Sequence, residues 1–235
     1  MTRNYDAFTL AEVLITLVII GVISALVIPT IIQNAHERAT ITKVKKAFTV
    51  LNNATKFAVA QYGPVDTWGF GDTSQYGANS VIANNHIKPY IKTVKDCGNN
   101  PGCYNESVTK FLNKANWLNF NTDTGYAKMQ FADGMFLGTQ IWAPNCNGNR
   151  GSNSLNYVCG AFYVDIDGYK GPNTNGKDLF LFYITKNGQI IPAGTPEETY
   201  WTINTCKTTE WGGGCAAWVI YKENMDYLKG KTIQW

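Results

Sequence analysis

Apolar and polar positions divide the chain into three regimes. Residues 8–32 read FTLAEVLITLVIIGVISALVIPTII, with Glu12 as the one ionisable side chain. The charge-free part of that run, 13–32, is long enough at ~1.5 Å per residue to cross a hydrocarbon core of about 30 Å. Residues 33–62 switch to an amphipathic pattern: Ile41, Val44, Phe48, Leu51, Thr55 and Ala58 recur at three- and four-residue steps, with Lys43, Lys46, Asn52 and Lys56 between them. That spacing predicts a helix with one buried stripe, stopped by Tyr62, Gly63 and Pro64. Joined to the apolar run it predicts one helix of roughly 80 Å.

Residues 64–125 are rich in Gly, Asn and Thr, with short apolar patches at Val81, Ile82, Ile87, Tyr90 and Ile91, and predict loops and short helices. After Gly125 the period falls to two. Residues 129–142 carry a turn at Asp133 and Gly134; Phe162, Val164 and Ile166 alternate with polar neighbours; Phe180, Phe182 and Ile184 precede a turn at Asn187 and Gly188. Alternation around DG and NG turns is a hairpin signal, and predicts an antiparallel sheet of about four strands. Its apolar face needs a cover, which the stripe from 41 to 58 supplies. The predicted fold class is therefore α+β: a long N-terminal helix, membrane-spanning in its first half, packed on an antiparallel sheet head. With no internal repeat or linker visible, 63–235 is expected to be one globular head.

Composition adds a compartment. Charged residues make up 16% of the 235 positions and net charge is +3, which gives no electrostatic case for nucleic acid. The six cysteines fall in close pairs, Cys97 with Cys103, Cys146 with Cys159 and Cys206 with Cys215. None has CxxC spacing, and two histidines are few to complete a metal site. Three local disulfides fit this pattern and place the head in an oxidising compartment; buried free thiols are the competing reading. Sequence-neighbour pairing is the simplest of the many connectivities. Arg38, Lys43, Lys45 and Lys46 follow the apolar run while Arg3 precedes it, so the positive-inside rule alone would keep the head in the cytoplasm. Long domains translocate largely regardless of such charges, and the cysteines put the head outside.

Two constellations carry chemistry. An ionised group within a membrane span costs several kcal/mol, about 2.5–3.5 for Arg, Lys or Asp on insertion scales, so Glu12 calls for a partner, the competing reading being a carboxylate near the interface that snorkels or protonates. Cleavage between Ala7 and Phe8 would create an amine about 6 Å away along the helix axis, and a neighbouring subunit's amine would neutralise Glu12. The loop DIDGYKGPNTNGKD offers Asp165, Asp167, Asn173, Asn175 and Asp178 as oxygen ligands suited to calcium, the dull alternative being a polar turn. There is no G-x-S-x-G, P-loop or HExxH, so no enzyme is expected, and His36 and His86 read as ordinary residues. Trp201, Trp211 and Trp218 fit a binding patch or core packing equally.

The order Ala7, Phe8, Thr9, Leu10, Ala11, Glu12, followed by an apolar run with Gly21 and Pro29, resembles the N-terminus of type IV pilins and type II secretion pseudopilins over residues 1 to about 62. The resemblance implies cleavage by a prepilin peptidase, methylation of the new Phe8 amine, and assembly of the helices into a filament core in which the stretch from Gly21 to Pro29 loses helicity. It implies as partners further copies of the chain, other pilins or pseudopilins and an inner-membrane assembly platform. It places the subunit in the bacterial inner membrane with its head outside, then in a periplasmic pseudopilus or extracellular pilus. The residue before the cut is usually Gly in this family, and here it is Ala7. The acidic loop is similar to the one by which major pseudopilins hold calcium, while many pilins close a C-terminal loop with a disulfide. The domain layout expected is leader 1–7, anchor and filament-core helix 8–32, amphipathic helix 33–62 and head 63–235. The alternative is a membrane-anchored module whose head binds a glycan, a surface or DNA.

Overall fold

The computed structural model describes residues 9–171 and 173–235. The chain divides into two compact units, Met1–Ala39 and Thr40–Trp235. Helix α1 (Leu10–Tyr62) contributes its first residues to one and its last to the other. It ends where the sequence says it should: Gly63 takes φ 85°, a conformation that costs glycine little, and donates its N–H to the Val59 carbonyl at 2.9 Å.

The second unit is built on six antiparallel strands in chain order: β1 (Thr93–Gly98), β2 (Ala127–Phe131), β3 (Phe136–Ile141), β4 (Val158–Asp165), β5 (Leu179–Thr185) and β6 (Ile190–Pro192). Helix α2 (Tyr76–Ile87) precedes β1, and α3 (Cys215–Lys222) follows β6. The expected turns are present, with Gly134 at φ 88° between β2 and β3 and Gly188 at φ 73° between β5 and β6. Gly188 also lies so close to α1 that a Cβ there would stand 2.6 Å from Val59 Cγ2.

The expected stripe buries Ile41, Val44, Leu51, Thr55 and Ala58. Phe48 is only partly buried, stacking on Phe182 of β5 with ring centroids 6.1 Å apart. The positions that close the interface are Ala47 and Ala54, whose small side chains let the helix backbone approach the sheet. Lys46 pairs with Asp133 at 2.7 Å and Lys43 donates to the Ile166 carbonyl at 3.2 Å. Exposed pairs of this kind add only tenths of a kcal/mol, about 0.2–1, so they orient the helix more than they hold it.

The sheet departs from expectation in two ways. It has six strands rather than about four, because β1 and β6 lack the alternating signature. β1 carries Lys95 and Asp96, pairs through two register shifts and is largely exposed, while β6 is only 3 residues long. Both faces are also covered. Every residue of β4 and of β5 is buried, since Tyr163 and Tyr183, which read as the polar half of the alternation, lie in a second core with Tyr104, Phe120, Phe136 and Leu181. The segment between β1 and β2, expected as loops and short helices, supplies Tyr104 and Phe120 to that second face.

Disulfides join Cys97 to Cys103, Cys146 to Cys159 and Cys206 to Cys215, the sequence-neighbour pairs. The first closes a turn whose Asn99 carbonyl accepts a 2.9 Å hydrogen bond from Lys128, a fully buried lysine whose pKa is held down by burial.

Candidate functional site

Ala7 and Phe8 lie outside the described residues. Immediately after them, the Thr9 N–H and hydroxyl both donate to Glu12 Oε2 at 2.8 Å, and the Glu12 N–H donates to Thr9 Oγ1 at 3.2 Å. This is a reciprocal capping box at the start of α1, with Thr9 as the cap and Glu12 three residues on. The T-x-x-E order of Thr9 and Glu12 is the sequence signature of this box. Glu12 thus has an intrachain use for its carboxylate before any partner arrives.

Fifteen large apolar side chains between residues 10 and 32 are exposed, among them Leu14, Ile15, Ile20 and Leu26. The helix is long and apolar enough to cross a membrane, and none of its most apolar window is buried. At about 1.5–3 kcal/mol for each such side chain, covering this surface with lipid or other helices is worth tens of kcal/mol. Among the described residues Gly21 has nothing within 4 Å of where a Cβ would stand, so it answers no steric demand from them. Pro29 is inside the helix and offers no N–H to the carbonyl of Ala25. Both lower the cost of local unwinding between them.

In the β4–β5 loop, Asp165 is wholly buried. Its Oδ2 accepts from the Tyr104 hydroxyl at 2.6 Å, and its Oδ1 from the N–H groups of Asp167 and Gly168 at 3.1 and 2.9 Å. Burial pushes its pKa well above the carboxylate range. Asn173 donates to the Tyr104 oxygen and Asn175 to the Trp211 carbonyl. Asp178 is pushed up to about 6, chiefly by burial, with the charge of Asp167 adding to the shift. Two oxygens of the set, Asp167 Oδ1 and Asn173 Oδ1, are buried without a partner among the described residues. Among the described residues no group of three or more Asp, Glu, His or Cys side chains is arranged to hold a metal ion. Tyr104→Phe strips Asp165 Oδ2 of its donor, and thermal denaturation is expected to show a loss of about 1–3 kcal/mol.

One buried carboxylate was invisible in the sequence. Glu198 is 5% exposed; its Oε2 accepts from the Gly194 N–H at 2.6 Å, and its Oε1 from the Trp201 N–H at 2.7 Å and from the Tyr183 hydroxyl. Burial pushes it up to about 7 against the pull of these donors and of Arg150. Nothing in TPEETY distinguishes it from its exposed neighbour Glu197. Of the three tryptophans, Trp201 and Trp211 meet edge to face at 5.7 Å, whereas Trp218 packs on Trp235.

Residues 2–28 match the prokaryotic N-terminal methylation motif, the prepilin cleavage signal of type IV pilins and pseudopilins. With its apolar N-terminal helix and α+β head, the chain is a precursor of the type IV pilin or pseudopilin kind, a structural class whose general partners are a prepilin peptidase and other pilins, and it fits a membrane-anchored subunit. Residues 30–215 match a family of unknown function (DUF6613), and the chain belongs to that family. No curated protein and no solved structure gave a match.

Proposed function

We propose that this chain is a structural subunit, cut between Ala7 and Phe8 and polymerised through α1 into a type IV pilus or a secretion pseudopilus, its head outside the inner membrane. The supporting observation is the uncovered apolar surface of residues 10–32, headed by the Glu12 carboxylate and lying largely within the segment that matches the methylation motif. Lipid covers that surface before assembly and neighbouring helices cover it afterwards. Glu12 leaves its Thr9 cap to pair with the Phe8 amine of an adjacent subunit, which sets axial register. Co-expression with a prepilin peptidase is expected to yield a shortened chain whose first residue, by mass, is methylated Phe8, recovered in sheared filaments. An uncut chain that stays monomeric in the membrane overturns the proposal.

Calcium belongs to the same reading. The residues fit it in part: Asp167 and Asn173 have unpartnered buried oxygens and Asp178 feels the charge of Asp167, while Asp165 is committed to Tyr104 and backbone N–H groups. Bound calcium would supply positive charge that favours the ionised form of Asp178, which burial and the charge of Asp167 disfavour. Saturating calcium at ~100 times its Kd is expected to stabilise the wild type by about 2.7 kcal/mol, and Asp167→Asn to abolish the gain. A melting temperature indifferent to calcium and chelator removes the metal from the proposal.

A further inference from the structure

A cleft of about 350 Å³ opens in the second unit where α1, β6, α3 and two turns meet. Asn52 and Lys56 of α1 form one wall and the turn around Ser152 and Ser154 another; β6 and Leu155 make an apolar floor, and Thr195, Glu197 and Tyr221 close the remaining side. Its volume lies at the lower end of small-molecule sites, roughly 300–1,000 Å³.

Three features of the lining bear on what the cleft could take. Thr195 is only 9% exposed, yet its hydroxyl has no hydrogen-bond partner among the described residues. A buried hydroxyl left so costs about 1–3 kcal/mol, which an incoming polar group would recover. Lys56 and Glu197 are the charged residues of the lining; neither forms an ion pair among the described residues, and their charges cancel. The rest of the rim is hydroxyl and amide, both donors and acceptors, set over Ile190 and Pro192 and beside a Tyr221 ring that is 55% exposed. A ligand matching this lining carries no net charge, has hydroxyl groups around its edge and presents a C–H face to the apolar floor and ring. A polyanion has no basic field to meet. An added peptide strand finds in β6 only 3 residues, of which Pro192 lacks an N–H.

We propose that the cleft binds a neutral carbohydrate, a mono- or disaccharide unit whose hydroxyl rim engages Thr195, Asn52 and Glu197 and whose ring lies over Ile190 and Pro192 against Tyr221. The site belongs to the head and does not depend on polymerisation, so its test uses unassembled subunits. The full chain is placed in phospholipid nanodiscs, because sugar-headed detergents would compete. Methyl glycosides of glucose, galactose and N-acetylglucosamine, and their disaccharides, are titrated by saturation-transfer NMR and calorimetry. One series is expected to bind with a Kd of about 1 mM or tighter. Thr195→Val, close to isosteric, and Tyr221→Ala, at an exposed position, are each expected to weaken binding at least about tenfold without lowering the melting temperature. Tighter binding of a polysaccharide carrying the same sugar identifies a unit within a glycan as the ligand; equal affinity identifies the free sugar. No binding by any glycoside at about 10 mM, or undiminished binding by both variants, overturns the proposal.

Discussion

Glu12→Ala is expected to give a processed, membrane-inserted subunit whose recovery in sheared filaments falls at least about tenfold, equivalent to ~1.4 kcal/mol of lost pairing. Two contributions of Glu12 must be separated, because the carboxylate also caps its own helix through Thr9. Loss of a cap costs about 0.5–2 kcal/mol and frays the first turn. Thr9→Ala removes the capping hydroxyl and keeps the charge, so it is expected to assemble close to wild type. Shotgun quantitation of sheared filaments and of the membrane fraction reads both variants. Wild-type incorporation of Glu12→Ala ends the register hypothesis, and equal failure of Thr9→Ala makes capping the function of the pair.

The largest stability effect in the head is expected at Glu198. Alanine there leaves three buried donors, the Gly194 and Trp201 N–H groups and the Tyr183 hydroxyl, without an acceptor. Each unmet group costs about 1–3 kcal/mol, so with partial rehydration a loss of about 4 kcal/mol is expected at pH 5. The sign of the pH dependence follows from a folded pKa of about 7 against an ordinary 4.5. Below 4.5 both states are protonated and the group is neutral in its effect. Between 4.5 and 7 the unfolded chain releases its proton first, so the wild-type head loses stability as pH rises, by about 3 kcal/mol once pH exceeds 7. Asp178, raised to about 6, acts in the same direction over a lower window. Glu198→Ala removes the larger part of this slope, and its deficit is therefore smaller at pH 8 than at pH 5. Denaturant titrations at the two pH values check it; equal deficits would show that Glu198 keeps an ordinary pKa in the fold.

The contrast between Glu12 and Glu198 explains what could be read in advance. Glu12 stands alone in a run of apolar residues, where any charge is conspicuous. Glu198 sits in a polar turn beside Glu197, and only the closure of residues 194–201 around one carboxylate makes it different. The sheet shows the same dependence on distant segments. β4 and β5 announced one apolar face, but tyrosine is ambiguous between surface and core, and Tyr163 and Tyr183 were resolved only when the segment carrying Tyr104 and Phe120 came to lie over them. The short strand β6 and the irregular strand β1 had no period to detect.

Local rules therefore determined what depends on neighbours along the chain. The apolar run, the helical stripe from 41 to 58, the glycine turns at 134 and 188 and the close cysteine pairs are all short-range patterns, each set by steric preference or by a fixed helical or strand period. Tertiary structure decided whatever needs distant segments to meet. It gave the sheet its second covered face, committed Asp165 to Tyr104 across 61 residues, buried Glu198, and assembled from α1, β6, α3 and two turns a cleft that no single stretch contains. Desolvation is the physical reason: the energetics of a polar group are set by what excludes water from it, and that is a property of the packed chain.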